Sequence, residues 1–426
     1  MRIDPIISWN QKGSSFNLNY PSLSYSSHCI KQSKIINLIH LLSINKCGFP
    51  VRLFVFDNPF YLFRQIMVSR KIFLYILFLF FSILLSTKSS STQPLVPGLY
   101  IFGDSTLDNG NNNLLPTLAK ANYFPYGLDF PGSLPTGRFT NGKTVADFIA
   151  DYLGVPYPPP RVSVFQPMSY LGYNYASGSC GILPETGKFI GECLNLDEQM
   201  KMFKETVEKQ LSSKYKNSVE LSQHMAKSIF IFSVGNNDYI NTYFGPVQTR
   251  KQYNPQQFAQ LLVDTLSLKL QKLYNFRARK ILVFELGPIG CIPSIVKSSK
   301  LNGKCDEIKN EIVNMFNTQL GLLLKNLTTT LQDSHFILGK AHGLGYDAVI
   351  NPTKYGLRDS SNPCCNAWGN GTFSCIPVEA PCLAPDEHYF WDGYHLTQAT
   401  YSVIASQCIS GSDVCLPMNI QQLVQV

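Results

Sequence analysis

The chain has 426 residues, 45% of them hydrophobic and 15% charged, with 29 Gly and 26 Pro. That composition excludes a disordered or collagen-like chain and allows one or two domains with cores of ordinary size. The formal charge of +8 is confined to the first fifth: residues 1–91 carry 10 Lys/Arg against 2 Asp/Glu, leaving 26 of each in residues 92–426, which excludes a basic stripe for nucleic acid there.

Residues 72–85 read IFLYILFLFFSILL, a run without charge, preceded by Arg70 and Lys71 and followed by Ser89, Ser90 and Ser91. A basic start, a short apolar run and a small-residue tail predict a secretory signal peptide over residues 67–91, opening at Met67. A permanent span needs about 18 apolar residues or more, so no stable membrane span is expected after cleavage. Residues 1–66 then read as a doubtful extension or gene-model artefact, a transit peptide being the weaker alternative, and residues 92–426 as a single domain.

Ten of the 12 Cys follow residue 92. An even count in a secreted chain predicts disulfides. Cys180 with Cys193, and Cys291 with Cys305, are near enough in sequence for small loop staples; the connectivity stays open. Cys364 and Cys365 are adjacent, with no CxxC or paired-His spacing beside them, so no metal site is expected. Asn326 and Asn370 each open an N-x-Thr sequon and are candidate glycosylation sites.

Along the rest of the chain, short apolar runs alternate with helical patterns. LYIFGDS (99–105) begins as a buried strand. Lys143 to Leu153 has helical spacing, with Val145, Phe148, Ile149 and Tyr152 on one face. Ser169 to Ala176 reads as a Tyr-rich strand and Leu194 to Leu211 as an amphipathic helix. SIFIFSVG (228–235) is a second long strand. Pro255 to Phe276 is a long helix with Pro255 suited to its first turn. KILVFELG (280–287) is a third long strand, Asp306 to Gln332 a long helix, His335 to Leu338 a short strand and Leu396 to Cys408 a last helix. Strand–helix alternation with continuously apolar strands predicts a three-layer α/β domain around a mainly parallel sheet. In such sheets the reactive loops gather at the carboxyl ends of the strands.

Those strand ends carry chemistry. Gly103-Asp104-Ser105 follows the first strand, Ala176-Ser177-Gly178 the Tyr-rich one, and Gly235-Asn236-Asn237-Asp238 the second long one; Asp392-Gly393-Tyr394-His395 lies near the C-terminus. Each alone is an ordinary turn former. Together they supply a nucleophile, oxyanion donors and a base with its carboxylate, as acyl transfer needs. Asp392 and His395 are three apart, a spacing that puts them on one face of a helical turn, although Asp392 can also be read as the cap of the following helix. His388 ranks behind His395 as the base, His342 has no clear partner, His224 is expected on an exposed helix end, and Asp104 and Asp108 are expected to support the nucleophile turn.

FGDSTLDNGNNN (102–113), NYASGSCGIL (174–183), VGNNDY (234–239) and FWDGYH (390–395), in this order, resemble the four blocks of the plant GDSL-type esterase/lipases of the SGNH hydrolase superfamily. GPIGCIP (287–293) and the cysteine run after Asn362 are similar to the plant branch, and the resemblance spans about residues 95–410. It implies a flavodoxin-like α/β/α sandwich, the SGNH hydrolase fold. It also implies Ser105, Asp392 and His395 as catalytic residues, with the Ser105 N–H, Gly178 and Asn237 as the oxyanion hole. Thr106 stands where the family name implies Leu, and Leu396 where many members carry Pro after the His. The chain lacks the G-x-S-x-G elbow of the common α/β-hydrolases. The expectation is a secreted serine esterase that hydrolyses carboxylic, chiefly acyl lipid, esters without a cofactor. Its partners are ester substrates rather than nucleic acid. An acyltransferase with a sugar or lipid hydroxyl as acceptor, and an inactive binding protein on the same scaffold, are the alternatives.

Overall fold

The computed structural model describes residues 93–163, 168–245, 252–299 and 301–426, with Arg70, Leu74, Tyr75, Leu77 and Phe78. Two units divide the chain, Met1–Ser89 and Ser90–Val426. The five described residues of the first are helical. The extension over 1–66 and nearly all of the signal segment lie outside the described residues. Among the described residues, no helix is long and apolar enough to cross a membrane.

The second unit is built on a sheet of β1 (Leu99–Gly103), β2 (Ile229–Ser233), β3 (Lys280–Phe284), β4 (His335–Gly339) and β7 (Cys415–Leu416), in that spatial order. The first four are parallel and β7 is antiparallel to β4. Alternate side chains enter different cores, so both faces of β1, β2 and β3 are buried and their sequences show apolar runs without a polar phase. Tyr100, Phe102, Phe230, Phe232, Ile281 and Val283 enter one core, packed by the helices Leu196–Glu205, Pro255–Asn275 and Glu307–Thr330. Leu99, Ile101, Ile229, Ile231, Leu282 and Phe284 enter the other, packed by Val145–Leu153 and Gln398–Ser410. The architecture is the expected α/β/α sandwich. Phe102 stacks between Tyr175 and Phe232, at centroid distances of 5.0 and 4.7 Å, and so joins neighbouring chain segments across the sheet.

Local signals account for the helix ends. Asn254 accepts the Gln257 N–H, Gln257 reaches back to the Asn254 N–H, and Pro255 fills the first turn, a full capping box. The helix expected over 194–211 is α-helical only over Leu196–Glu205 and continues as wider π turns through Leu211. In Val145–Leu153 the deeply buried face carries Ala146, Ile149, Ala150 and Leu153, while Phe148 and Tyr152 are half-buried at its edge. Ala146 and Ala150 share a core with Tyr401, Ile404 and Ala405 of Gln398–Ser410.

The Tyr-rich segment runs beside β1 without becoming a regular strand. Leu99 and Ile101 donate to Leu171 and Tyr173, and Tyr175 and Ser177 donate back to Ile101 and Gly103. Gly172 interrupts the ladder with φ 115°; a Cβ there would lie 1.8 Å from the Leu99 carbonyl oxygen. On the side away from β1, the Asn174 N–H donates to Pro159 O, as alternate amides of an extended segment do.

Two buried carboxylates fasten the loops at the strand ends. Asp108 accepts N–H bonds from Gly110 (2.8 Å) and Asn111 (2.8 Å) on one oxygen and from Gly178 (2.9 Å) on the other. Asp238 accepts from Ile182 N (2.8 Å), Leu183 N (3.0 Å) and Thr186 Oγ1 (2.8 Å). Asn111 and Asn112 add bonds to the carbonyls of Asn174, Ala176 and Gly178. The Asn-rich run therefore cross-links two loops rather than simply turning. Five disulfides brace the unit: Cys180–Cys193, Cys291–Cys305, Cys364–Cys382, Cys365–Cys375 and Cys408–Cys415. The vicinal cysteines thus take different partners.

Burial outweighs the donated hydrogen bonds at Asp108 and Asp238 and raises each from 3.8 to about 6. Between about pH 4 and 6 the folded chain keeps protons that the unfolded chain releases. Their contribution is complete below the unfolded value and is lost as pH rises through about 6. We expect Asp238→Asn, which cannot titrate there, to flatten the fall of unfolding free energy with pH over that window. Urea denaturation from pH 4 to 7 measures it, and an unchanged slope counts against the raised value.

Candidate active site

Ser105 lies just beyond β1. Gly103 ends the strand with φ 155°, where a Cβ would stand 2.2 Å from the Ser233 carbonyl oxygen, and its amide and carbonyl are both held by Gln199. Asp104 accepts from the Thr106 N–H (3.0 Å) and hydroxyl (2.7 Å), and that hydroxyl also meets Ser233 Oγ at 2.9 Å. Thr106 thus gives the turn a polar tie that Leu would lack. Asp104 is fully buried, and burial raises its pKa.

At the other end of the chain, β6 (His388–Phe390) pairs with β5 (Asp359–Pro363) in a small parallel sheet and leads into residues 391–396. The expected helical turn at Asp392 and His395 is absent. Instead Asp392 Oδ1 accepts the N–H groups of Tyr394 and His395, both at 2.8 Å, and Trp391 N–H closes the loop onto His395 O at 2.7 Å. This Asx-type turn brings carboxylate and ring together. Nor does Asp392 cap the following helix: Thr397 does so, accepting the Thr400 N–H.

His395 Nε2 lies 2.8 Å from Ser105 Oγ, and His395 Nδ1 lies 2.8 and 2.9 Å from the two Asp392 oxygens. Phe139 flanks the imidazole at a centroid distance of 5.0 Å. Asp392 is fully buried. Burial alone would raise its pKa, but the His395 ring and the hydrogen bonds from His395, Tyr126 and Tyr394 hold it below the ordinary carboxylate value. The Tyr126 hydroxyl donates to Asp392 Oδ2 at 2.5 Å. Burial and the neighbouring Asp392 charge push the Tyr126 phenol well up, so it remains a donor. Tyr126 was not singled out by the sequence; it lies 266 residues from Asp392, and no local pattern links them.

The candidate oxyanion donors are placed less uniformly. No acceptor within the described residues takes the Ser105 N–H. Asn237 lines the cavity beside Ser105, with one amide proton on Cys180 O at 3.0 Å. The Gly178 N–H, by contrast, is held by Asp108. One residue on, Ser179 stands at φ 70° and lines the cavity, with a buried hydroxyl that has no hydrogen-bond partner. The sequence pattern had given no reason to look past Gly178.

Of the rival histidines, His388 Nδ1 faces Ala384 O at 3.0 Å and Cys382 Sγ at 3.4 Å. The atoms of Cys364, Cys382 and His388 lie within 4.8 Å of one another, but the two sulfurs form a disulfide and are not thiolate ligands. His342 donates its backbone N–H to Glu285. His224 is buried rather than exposed, between the hydroxyls of Tyr100 and Tyr215 at 2.9 and 2.6 Å. Burial and the Lys214 charge lower its pKa to about 4.

Ser105 and His395 open onto a cavity of about 560 Å³. Its wall is mostly apolar, with Phe139, Ile190, Ile240, Ile292, Phe373 and Leu396 among the lining residues. Chemically, the arrangement offers a hydroxyl beside a ring nitrogen, a second ring nitrogen on a buried carboxylate, and polar donors at the mouth of an apolar space.

A family model described as GDSL-like Lipase/Acylhydrolase matches residues 99–408. GDSL esterase/lipase 7 of Arabidopsis thaliana is 41% identical over 351 residues, covering 80% of this chain and 95% of that protein. GDSL esterase/lipase At1g71691 of the same plant is 42% identical over 336 residues, covering 78% and 86%. The chain belongs to the GDSL-like lipase/acylhydrolase family, a family of carboxylic ester hydrolases.

Proposed function

We propose that the protein is a secreted serine esterase acting on acyl esters, with Ser105 as nucleophile, His395 as general base and acid, and Asp392 as the carboxylate that orients the ring. The observation that carries this reading is the continuous hydrogen-bond chain from Ser105 Oγ through both ring nitrogens to the buried Asp392. A Ser hydroxyl is a weak nucleophile until a base takes its proton. His395 Nε2 is placed to do so while Nδ1 keeps its proton on Asp392. The buried carboxylate then stabilises the imidazolium as Ser105 attacks the ester carbonyl. His395 returns the proton to the leaving alcohol, and water cleaves the acyl-enzyme by the same route.

The oxyanion would take the Ser105 N–H, the Asn237 side-chain amide and a third donor from the Gly178–Ser179 turn. With the Gly178 N–H engaged by Asp108, we assign the third donor to the neighbouring Ser179 N–H. The apolar cavity favours an acyl chain over a polar or charged acid. Five disulfides and the apolar run over 72–85 support secretion. Asn326 and Asn370 are both exposed, as a glycan requires.

Ser105→Ala is expected to abolish hydrolysis of p-nitrophenyl esters with unchanged near-UV circular dichroism; retained turnover removes Ser105 from the mechanism. Asp392→Asn is expected to lower kcat by about 10⁴ through the wrong ring tautomer, and Asn237→Ala by about 10²–10³. Steady-state kinetics on the purified variants distinguish these from wild-type rates. Edman sequencing of the secreted protein is expected to start between residues 92 and 95, whereas a start at Met1 refutes cleavage.

A further inference from the structure

The polar wall residues include Asp104, Lys120 and Asn237 as well as Glu285, and of these Glu285 is a buried acid that lies away from Ser105 in sequence. Glu285 directly follows β3, is 9% exposed, and lines the cavity, whose wall also includes Phe284, Ala341, Tyr389 and Ile404. Its Oε1 accepts the His342 N–H at 2.8 Å, at the start of the helix Ala341–Ile350. No hydrogen bond from the described residues reaches Oε2, and no cation lies within ion-pair distance of it there. Burial raises the Glu285 pKa, partly offset by the His342 amide and the charge of Lys340. Holding one helix amide needs one acceptor, and a neutral side chain would serve. A carboxyl with an oxygen left over is costly in an apolar space unless that oxygen has a partner.

We infer that Glu285 is a specificity-determining residue that makes this cavity select acyl chains bearing a hydroxyl far from the ester carbonyl over plain alkyl chains. The inference rests on the reading of Ser105 as nucleophile with the acyl group in the cavity. Before substrate enters, water satisfies Oε2. A plain alkyl chain displaces that water and leaves the oxygen unpaired, which is the expensive direction of the exchange. A chain hydroxyl replaces the water and restores the bond, whether the carboxyl is ionised and accepts or is protonated and donates. Sites built to hydrogen-bond a substrate hydroxyl reject the analogue that lacks it far more strongly than apolar pockets sort chains by size. The sheet order sets the distance. β3 lies two strands from β1, so Glu285 stands roughly 10 Å along the carboxyl edge from Ser105. That excludes a hydroxyl next to the carbonyl as its partner.

The test uses p-nitrophenyl esters in pairs that differ only by a terminal hydroxyl, with chains of six to sixteen carbons, on the wild-type, Glu285→Leu and Glu285→Gln proteins. The wild type is expected to prefer the hydroxylated ester by about tenfold or more in kcat/KM at some chain lengths, mainly through KM. Glu285→Gln, which keeps polar atoms at both positions, retains most of that ratio. Glu285→Leu brings it to one or below, as the plain ester improves while the hydroxylated one worsens. A purely structural role would slow both esters alike and leave the ratio at the wild-type value. Equal kcat/KM within every wild-type pair, or a preference that persists in Glu285→Leu, overturns the inference while the esterase reading stands. Hydrolysis by Ser105→Ala, or none of any ester by the wild type, overturns the esterase reading and this inference with it.

Discussion

The candidate site depends on one buried charge being fully surrounded. Asp392 has no exposure to solvent, and four donors converge on it: the His395 ring, the Tyr126 hydroxyl, and the backbone N–H groups of Tyr394 and His395. An ion removed from water persists only where hydrogen bonds replace its hydration. Here each of them also fixes a position. The two backbone bonds shape the turn, the ring bond aims Nε2 at Ser105, and the tyrosine donates to Oδ2, the oxygen that also meets the ring nitrogen at 2.8 Å. Tyr126 in turn accepts the Cys375 N–H, so the disulfide-braced segment is joined to the same network.

The same device recurs at the carboxyl edge of the sheet. Asp108 accepts from its own loop at Gly110 and Asn111 and from a second loop at Gly178, and Asp238 accepts N–H and O–H bonds from the loop at 182–186. Parallel strands deliver their loops to one edge without ordering them relative to one another. Buried carboxylates do this with few residues, because each can bind donors from two segments at once. Gly181 shows how tight the fit is: a Cβ there would lie 2.3 Å from Asp238 Oδ2. Ser105, Asn237 and the Gly178–Ser179 turn therefore meet on loops cross-linked by polar bonds, above strands stacked by aromatic rings.

Much of the scaffold is legible in single segments. LYIFG, IFIFS and KILVF are apolar without alternation because both faces of a central parallel strand are covered, and each is a strand in the structure. Pro255 and Asn254 mark a helix start through local capping chemistry. The Tyr-rich stretch misleads because its composition suits a strand while Gly172 breaks the ladder for a steric reason visible only beside β1. The spacing of Asp392 and His395 misleads in another way: three residues apart fits a helical face, but an Asx-type turn produces the same proximity. His224, expected on an exposed helix end, is buried, and two tyrosine hydroxyls from outside its helix enclose it.

Sequence alone determined the class of architecture, the four parallel strands and the long helices, the family resemblance and the residue types available for acyl transfer. These rest on local chemistry: apolar runs, caps, turn formers and motifs a few residues long. Only the tertiary structure decided that Tyr126 meets Asp392, that the Gly178 amide is engaged by Asp108 while Ser179 lines the cavity, how the ten cysteines pair, and that Glu285 reaches an apolar wall. Those outcomes depend on which atoms converge across tens to hundreds of residues. Convergence is set by sheet order and by the burial of polar groups that must find partners, and neither leaves a mark within a short stretch of chain.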